Sequence, residues 1–257
     1  MRIMTHNQVL IRYHENPAAR GCIWYVHGFC CSGHLYENVF DSVLCDDFSI
    51  YLPDFPGFGA SPPVIPPHTV ADSALLLSDL VRKVTGDAPV FFLCHSLGGI
   101  VGTKAAKELG RSVRGCVSVE GNLTRQDAFL TGLSEGFDDA GAFYDHLAGI
   151  FLPLAQADPT QRRFTAGFLS ADPDSVLAWG TSCAEATGET AAGDEFRTLS
   201  MPTLFVWGGK SLPEMSKEYI ERYDMNHLAF PNAGHNVMVD EPEGFYRMAR
   251  DFFLEYL

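Results

Sequence analysis

The sequence predicts an α/β protein: a doubly wound, mostly parallel sheet interrupted once by a helical insertion. Three observations carry that expectation. Short β-rich apolar runs alternate with helical patterns along the chain. Several of the runs are apolar almost throughout instead of alternating, as strands covered on both faces are. One long interval contains helical patterns and no convincing strand.

In chain order, the expected strands are Val9–Tyr13, Cys22–Val26, Phe48–Leu52, Val90–Cys94, Cys116–Val119, Thr203–Trp207 and His227–Phe230. Helical patterns cover Thr69–Thr85, Leu97–Leu109, Pro213–Tyr223 and Pro242–Tyr256. The interval from about Asn122 to Ser200 breaks the rhythm with helices at Ala140–Ala157, Pro159–Leu169 and Pro173–Ala186, separated by Gly, Pro and Asp. A loop of that length without structure of its own is improbable, so a helical insertion is expected. The implied organisation is 1–121 for the first part of a core, 122–201 for a helical cap, and 202–257 for the second part. The insertion is rich in aromatics; most are expected to pack it internally and a minority to line a pocket.

The 257 residues suit one large domain or a domain with an insertion. With 18 Lys+Arg against 32 Asp+Glu, the net charge of −14 argues against a nucleic-acid partner, whose affinity comes mostly from cationic side chains. It equally argues against a polybasic membrane anchor. No apolar run has membrane-spanning length, and the opening MRIMTHNQVLIRYHENP lacks the apolar stretch of a signal peptide. The expectation is a cytoplasmic protein, monomer or homodimer, acting on a small molecule. Seven irregularly spaced cysteines, without a Cys-x-x-Cys pair, fit reduced thiols better than a disulfide framework or a zinc site.

The strongest chemical signal is Val90-Phe-Phe-Leu-Cys-His-Ser-Leu-Gly-Gly99. A strand runs into a sharp turn, places Ser96 at its apex, and continues into a helix whose N-terminus offers unpaired N–H groups beside the hydroxyl. Cys94-His95-Ser96-Leu97-Gly98 is nearly the Gly-x-Ser-x-Gly turn. Further segments follow in order: Val26-His27-Gly28-Phe29, Asp54-Phe-Pro-Gly-Phe-Gly-Ala-Ser61, Pro231-Asn-Ala-Gly-His235, and Asp240-Glu-Pro-Glu243 opening a last helix. Pro56, Gly57 and Gly59 read as turn formers, and His27 and His95 as packed, hydrogen-bonded neighbours.

Together these segments resemble the α/β-hydrolase superfamily over essentially the whole chain. The resemblance implies Ser96 as nucleophile and His235 as its base, with an oxyanion hole from the backbone N–H groups of Phe29 and Leu97. Two departures stand out. Cys94 replaces the first Gly of the turn, and Ser211 occupies the slot after the seventh strand where most members carry the acidic residue. Glu120, at the end of an apolar strand, is the candidate acid; Glu214 is the alternative, although Ser211-x-x-Glu214 before a helix has the form of a capping box. The resemblance further implies acyl transfer without metal or organic cofactor, on a small, mostly apolar ester, lactone or thioester. Phe29, Phe129, Phe143, Phe151 and Trp179 are the candidate substrate contacts. Carbon–carbon bond hydrolases, cofactor-free lyases and ligand receptors share this fold and stay open. The insertion carries 12 Asp+Glu against 4 Arg, a net of −8, which favours neutral over anionic substrates.

Overall fold

A computed structural model describes residues 1–158 and 161–257. Eight strands form one sheet: β1 (Arg2–His6), β2 (Val9–His14), β3 (Gly21–Val26), β4 (Phe48–Pro53), β5 (Val90–His95), β6 (Val113–Val119), β7 (Thr203–Gly208) and β8 (His227–Phe230). The spatial order is β1-β2-β4-β3-β5-β6-β7-β8. β1, β2 and β4 pair antiparallel, and every pair from β4 to β8 is parallel.

The parallel strands are apolar on both faces because each face meets its own core. In β3, Cys22, Trp24 and Val26 join one cluster, while Ile23 and Tyr25 join the other. In β5, Phe92 and Cys94 face the first, and Phe91 and Leu93 the second. This is the two-residue strand period with both sides covered. Helices α1 (Val70–Thr85) and α2 (Gly98–Leu109) supply the first cover. The second comes from the 3₁₀ turns of Gly33–Asp41 and from the last helix, Pro242–Glu255.

The edge strand β1 escapes the sequence reading. Its residues are mostly exposed, so no apolar run marks it. The hairpin turn into β2 uses Asn7 and Gln8, both at positive φ (48° and 65°), as a two-residue turn demands. Gln is not the glycine that announces such a turn.

Between β6 and β7 lie 3₁₀ turns at Arg125–Ala128 and Thr131–Gly136, then α3 (Ala140–Ala157), α4 (Arg162–Leu169), α5 (Pro173–Thr187) and α6 (Ala191–Arg197). The expected start of the second insertion helix at Pro159 lies outside the described residues, and α6 is an addition to the sequence reading. α5 is rooted in the rest of the molecule. Its Trp179 is fully buried, stacks on His27 at 5.3 Å between ring centroids, and donates its indole N–H to Ser73 Oγ of α1 at 3.0 Å. Gly57, at φ 81°, lies so close to Ser175 that any Cβ there would collide with its side chain. Asp172 N–H donates to the Gly57 carbonyl at 2.7 Å, fixing the start of α5 on the Asp54–Ser61 turn. The remaining helices are α7 (Glu214–Arg222), α8 (Val237–Asp240) and α9 (Pro242–Glu255). Among the described residues no helix is long and apolar enough to cross a membrane.

This packing predicts that Trp179→Ala lowers unfolding free energy by about 3–5 kcal/mol, through cavity creation and loss of the Ser73 bond. Urea unfolding should show one transition moved to lower denaturant. A loss confined to a separate, early phase would mean that α5 is not integral to the core.

Candidate active site

Three strand ends and two loops converge at the carboxyl edge of the sheet. Ser96 follows β5 directly, at φ 54°, a left-handed conformation that a side chain adopts only under constraint. Its N–H donates to the Val119 carbonyl at 2.9 Å, tying the turn to β6. The helix behind it comes close enough that a Cβ on Gly98 would sit 2.5 Å from the Val26 carbonyl oxygen. Cys94 stands where the family's turn has Gly, and Gly102 on α2 makes the room: a Cβ there would collide with the Cys94 sulfur. Burial raises the Cys94 thiol pKa well above its ordinary value, so it is no competing nucleophile.

Glu120 ends β6 and is also left-handed, at φ 51°. Its N–H donates to the Val206 carbonyl at 2.8 Å. The buried carboxylate serves two sides. Oε1 accepts the Gly208 N–H at 2.6 Å and the Ser211 hydroxyl at 3.0 Å; Oε2 faces His235 Nδ1 at 3.1 Å. A carboxylate there can only accept, so Nδ1 carries the proton and Nε2 keeps its lone pair. Ser211, in the slot where the resemblance expects an acidic residue, thus holds the Glu120 carboxylate. The capping-box expectation is corrected accordingly: Ser211 points to Glu120, Pro213 occupies the N-cap of α7 without a side-chain bond, and Glu214 is exposed beside Lys217 at 3.5 Å. Glu214 makes no contact with His235.

The loop bearing His235 is fastened at several points. Gly234 N–H donates to Asp240 Oδ2 at 2.7 Å, and Lys210 N–H to the Ala233 carbonyl at 3.1 Å. The His235 carbonyl oxygen faces His95 Nε2 at 2.9 Å, so that nitrogen must be the donor. His95 Nδ1 then accepts the Tyr36 hydroxyl at 2.8 Å, while the Tyr36 oxygen accepts the Gly28 N–H at 3.2 Å. One buried chain thereby links the Gly28–Phe29 loop, the Ser96 turn and the His235 loop. Burial pulls the His95 pKa down to about 3, with the nearby His235 adding to it, and burial takes His27 to about 4. His27 accepts the Phe55 N–H at Nε2 (3.1 Å) and meets the Gly28 carbonyl at Nδ1 (2.9 Å).

A cavity of about 250 Å³ opens between these loops and the insertion. Ser96, Leu97, His95 and His235 form its floor, and Phe29, Phe129, Leu130, Phe151, Leu154 and Phe164 its apolar walls. Among the described residues neither the Phe29 nor the Leu97 backbone N–H has an acceptor, which leaves both able to receive an oxyanion. Phe143 and Trp179 lie outside the cavity, correcting their place among the candidate contacts. Both are fully buried; Phe143 packs beside Phe29, and Trp179 fills the core beneath His27. Aromatic character alone does not separate a wall from a core residue. Several cavity residues were not among the candidate contacts, including Leu130, Leu154, Phe164, Asn122 and Asp127.

The two buried histidines set a pH dependence of stability. Their native pKa values lie below that of exposed imidazole, so the unfolded chain binds protons first. Stability is fully present above pH 6.5 and is lost as pH falls toward 4 and 3. Each histidine contributes about 2 kcal/mol of loss by pH 5. His95→Gln keeps a donor and an acceptor and should remove part of the difference between urea midpoints at pH 7 and pH 5. Parallel pH profiles for the two proteins would contradict a neutral, buried His95.

Residues 25–248 match the model of the alpha/beta hydrolase family. No curated protein matches the sequence significantly. Among solved structures, the chain is similar to a thermophilic esterase from Thermogutta terrifontis, with TM-score 0.75, 20 % identity, and coverage of 96 % of this chain and 94 % of that one. It is similar to the N-acyl homoserine lactonase AidH, with TM-score 0.75, 17 % identity, and coverage of 99 % and 96 %. It is also similar to an esterase from Exiguobacterium antarcticum, with TM-score 0.73, 16 % identity, and coverage of 95 % and 94 %. With the family match spanning most of its length, the chain belongs to the alpha/beta hydrolase family.

Proposed function

We propose that the protein is a serine hydrolase that cleaves a small, mostly apolar carboxylic ester through an acyl-enzyme on Ser96. One observation carries the reading. Glu120 holds His235 by Nδ1, which leaves Nε2 free to act as a base, and His235 lines the same largely apolar cavity as the strained Ser96.

In the proposed cycle, His235 Nε2 takes the Ser96 proton as Oγ attacks the ester carbonyl carbon. Negative charge develops on the carbonyl oxygen, where the Phe29 and Leu97 N–H groups receive it. Loss of one such donor typically costs about 3 kcal/mol of barrier. The C–O bond then breaks, His235 returns its proton to the departing alkoxide, and water repeats the sequence on the acyl-enzyme. Residues 122–201 act as a cap whose aromatic and aliphatic side chains enclose the acyl or alcohol group. The printed activities of the similar structures include esterase and lactonase, both of which this machinery serves. Among the described residues no Lys or Arg lines the cavity, and Asp127 and Asp240 do. That favours neutral substrates over anionic ones.

A fluorophosphonate probe should label intact protein at Ser96, and His235→Ala should abolish labelling. Labelling elsewhere, or none, would overturn the acyl-enzyme reading. On an aryl ester, Glu120→Gln should lower kcat by about a thousandfold or more, whereas Glu214→Gln should change it little. The reverse pattern would move the acid to Glu214. At low ionic strength, a neutral ester should show higher kcat/KM than its carboxylate-bearing analogue; equality would remove the charge argument.

A further inference from the structure

The cavity is not uniformly apolar: Asn122, Asp127, Thr131, Gln161, Asn236 and Asp240 also line it, and two of them leave an acceptor open. Asn122 is only 7 % exposed and lines the cavity two residues after Glu120. Its amide orientation is fixed by a neighbour. The Thr187 hydroxyl donates to the Cys183 carbonyl at 2.8 Å, so the Thr187 oxygen can only accept from Asn122, at 3.0 Å. The atom facing Thr187 is therefore Nδ2, and Oδ1 is left without a donor among the described residues. Asp127 repeats the pattern. Its Oδ2 accepts from Leu123 N–H (2.8 Å), Thr124 N–H (2.8 Å) and the Ser216 hydroxyl (2.7 Å), while Oδ1 has no partner among the described residues. Burial pushes the Asp127 carboxyl pKa up, against the lowering by its hydrogen bonds from Thr124, Ser216 and Leu123.

We propose that Asn122 Oδ1 and Asp127 Oδ1 form a donor-recognising subsite, and that the substrate carries a hydroxyl or N–H group a few bonds from its scissile carbonyl. An acceptor open to the cavity is costly to leave unpaired once a substrate displaces solvent from it; a substrate donor avoids that cost while a plain hydrocarbon does not. The subsite's link to Ser96 follows from placement. Gly121, the residue before Asn122, lies beside the Ser96 turn: a Cβ on it would be in ordinary contact with the Ser96 carbonyl oxygen, at 3.6 Å. Asn122 and Asp127 line the same cavity as Ser96, so a donor that reaches them belongs to the substrate bound at that serine. The same two acceptors repel a carboxylate and reject an ether, which offers lone pairs only.

This inference rests on the ester-hydrolase reading and deepens it. The test compares p-nitrophenyl esters of butanoic, 3-hydroxybutanoic, 3-aminobutanoic and 3-methoxybutanoic acids on the full chain. The hydroxy ester should exceed the plain ester in kcat/KM by about tenfold, the worth of one hydrogen bond to a buried or charged acceptor. The methoxy ester should fall below the plain one. Asn122→Leu should bring the hydroxy-to-plain ratio toward one. Asp127→Asn, which preserves an acceptor for Thr124 N–H, should lower the amino-to-hydroxy ratio. Equal kcat/KM for hydroxy, methoxy and plain esters, with Ser96-dependent turnover intact, would overturn the subsite alone. Absence of turnover on every ester, together with no fluorophosphonate labelling of Ser96, would overturn the hydrolase reading and the subsite with it.

Discussion

The buried Glu120 carboxylate is the constraint on which the site depends. It terminates β6, accepts from the end of β7, and orients the loop after β8 through His235. A charge so buried is tolerated only when its lone pairs are filled. Here they are filled by a backbone N–H, a hydroxyl and an imidazole from three separate segments. Removing any one partner leaves charge uncompensated, so the arrangement is mutually enforcing. The strand order makes it possible, because β6 lies between β5, which delivers Ser96, and β7, which delivers Gly208 and Ser211.

Strain and close packing accompany that geometry. Ser96 and Glu120 both adopt left-handed backbones at the ends of adjacent parallel strands, and each is pinned by one hydrogen bond to the next strand over. Each pin runs toward the sheet's far side, from β5 to β6 and from β6 to β7, so the register of the parallel ladder places both side chains. Behind them, the neutral His95 joins three loops through hydrogen bonds that need no charge. A protonated imidazole there would lose its acceptor role toward Tyr36.

Much of this was legible in the sequence. The parallel strands declare themselves as uninterrupted apolar runs because both faces are covered, and the Ser96 turn and Gly234-His235 loop follow from local composition. Glu120 was readable as a charge at the end of a buried strand, which needs a partner. What the sequence hides is long-range. Whether Ser211 caps its own helix or serves Glu120 depends on a residue far away in the chain. Phe143 and Phe151, on one helix and alike in type, differ only in which neighbour reaches them first. The mostly exposed β1 carries only Ile3 and Met4, too short an apolar pair to announce a strand. Asn122 and Asp127 look like ordinary turn residues until the cavity forms in front of them.

The room that Gly102 makes for Cys94 has a historical consequence. A methyl group at position 102 collides with the sulfur, whereas a glycine at position 94 would leave space for one. The two sites therefore form an ordered pair in any line of descent: the sulfur could be acquired only on a background where 102 was already glycine, and it must be given up before 102 can grow. Sequences drifting through this part of the fold are steered along that path, and a variant library that randomises position 102 alone, with Cys94 in place, meets the sulfur at every residue but glycine.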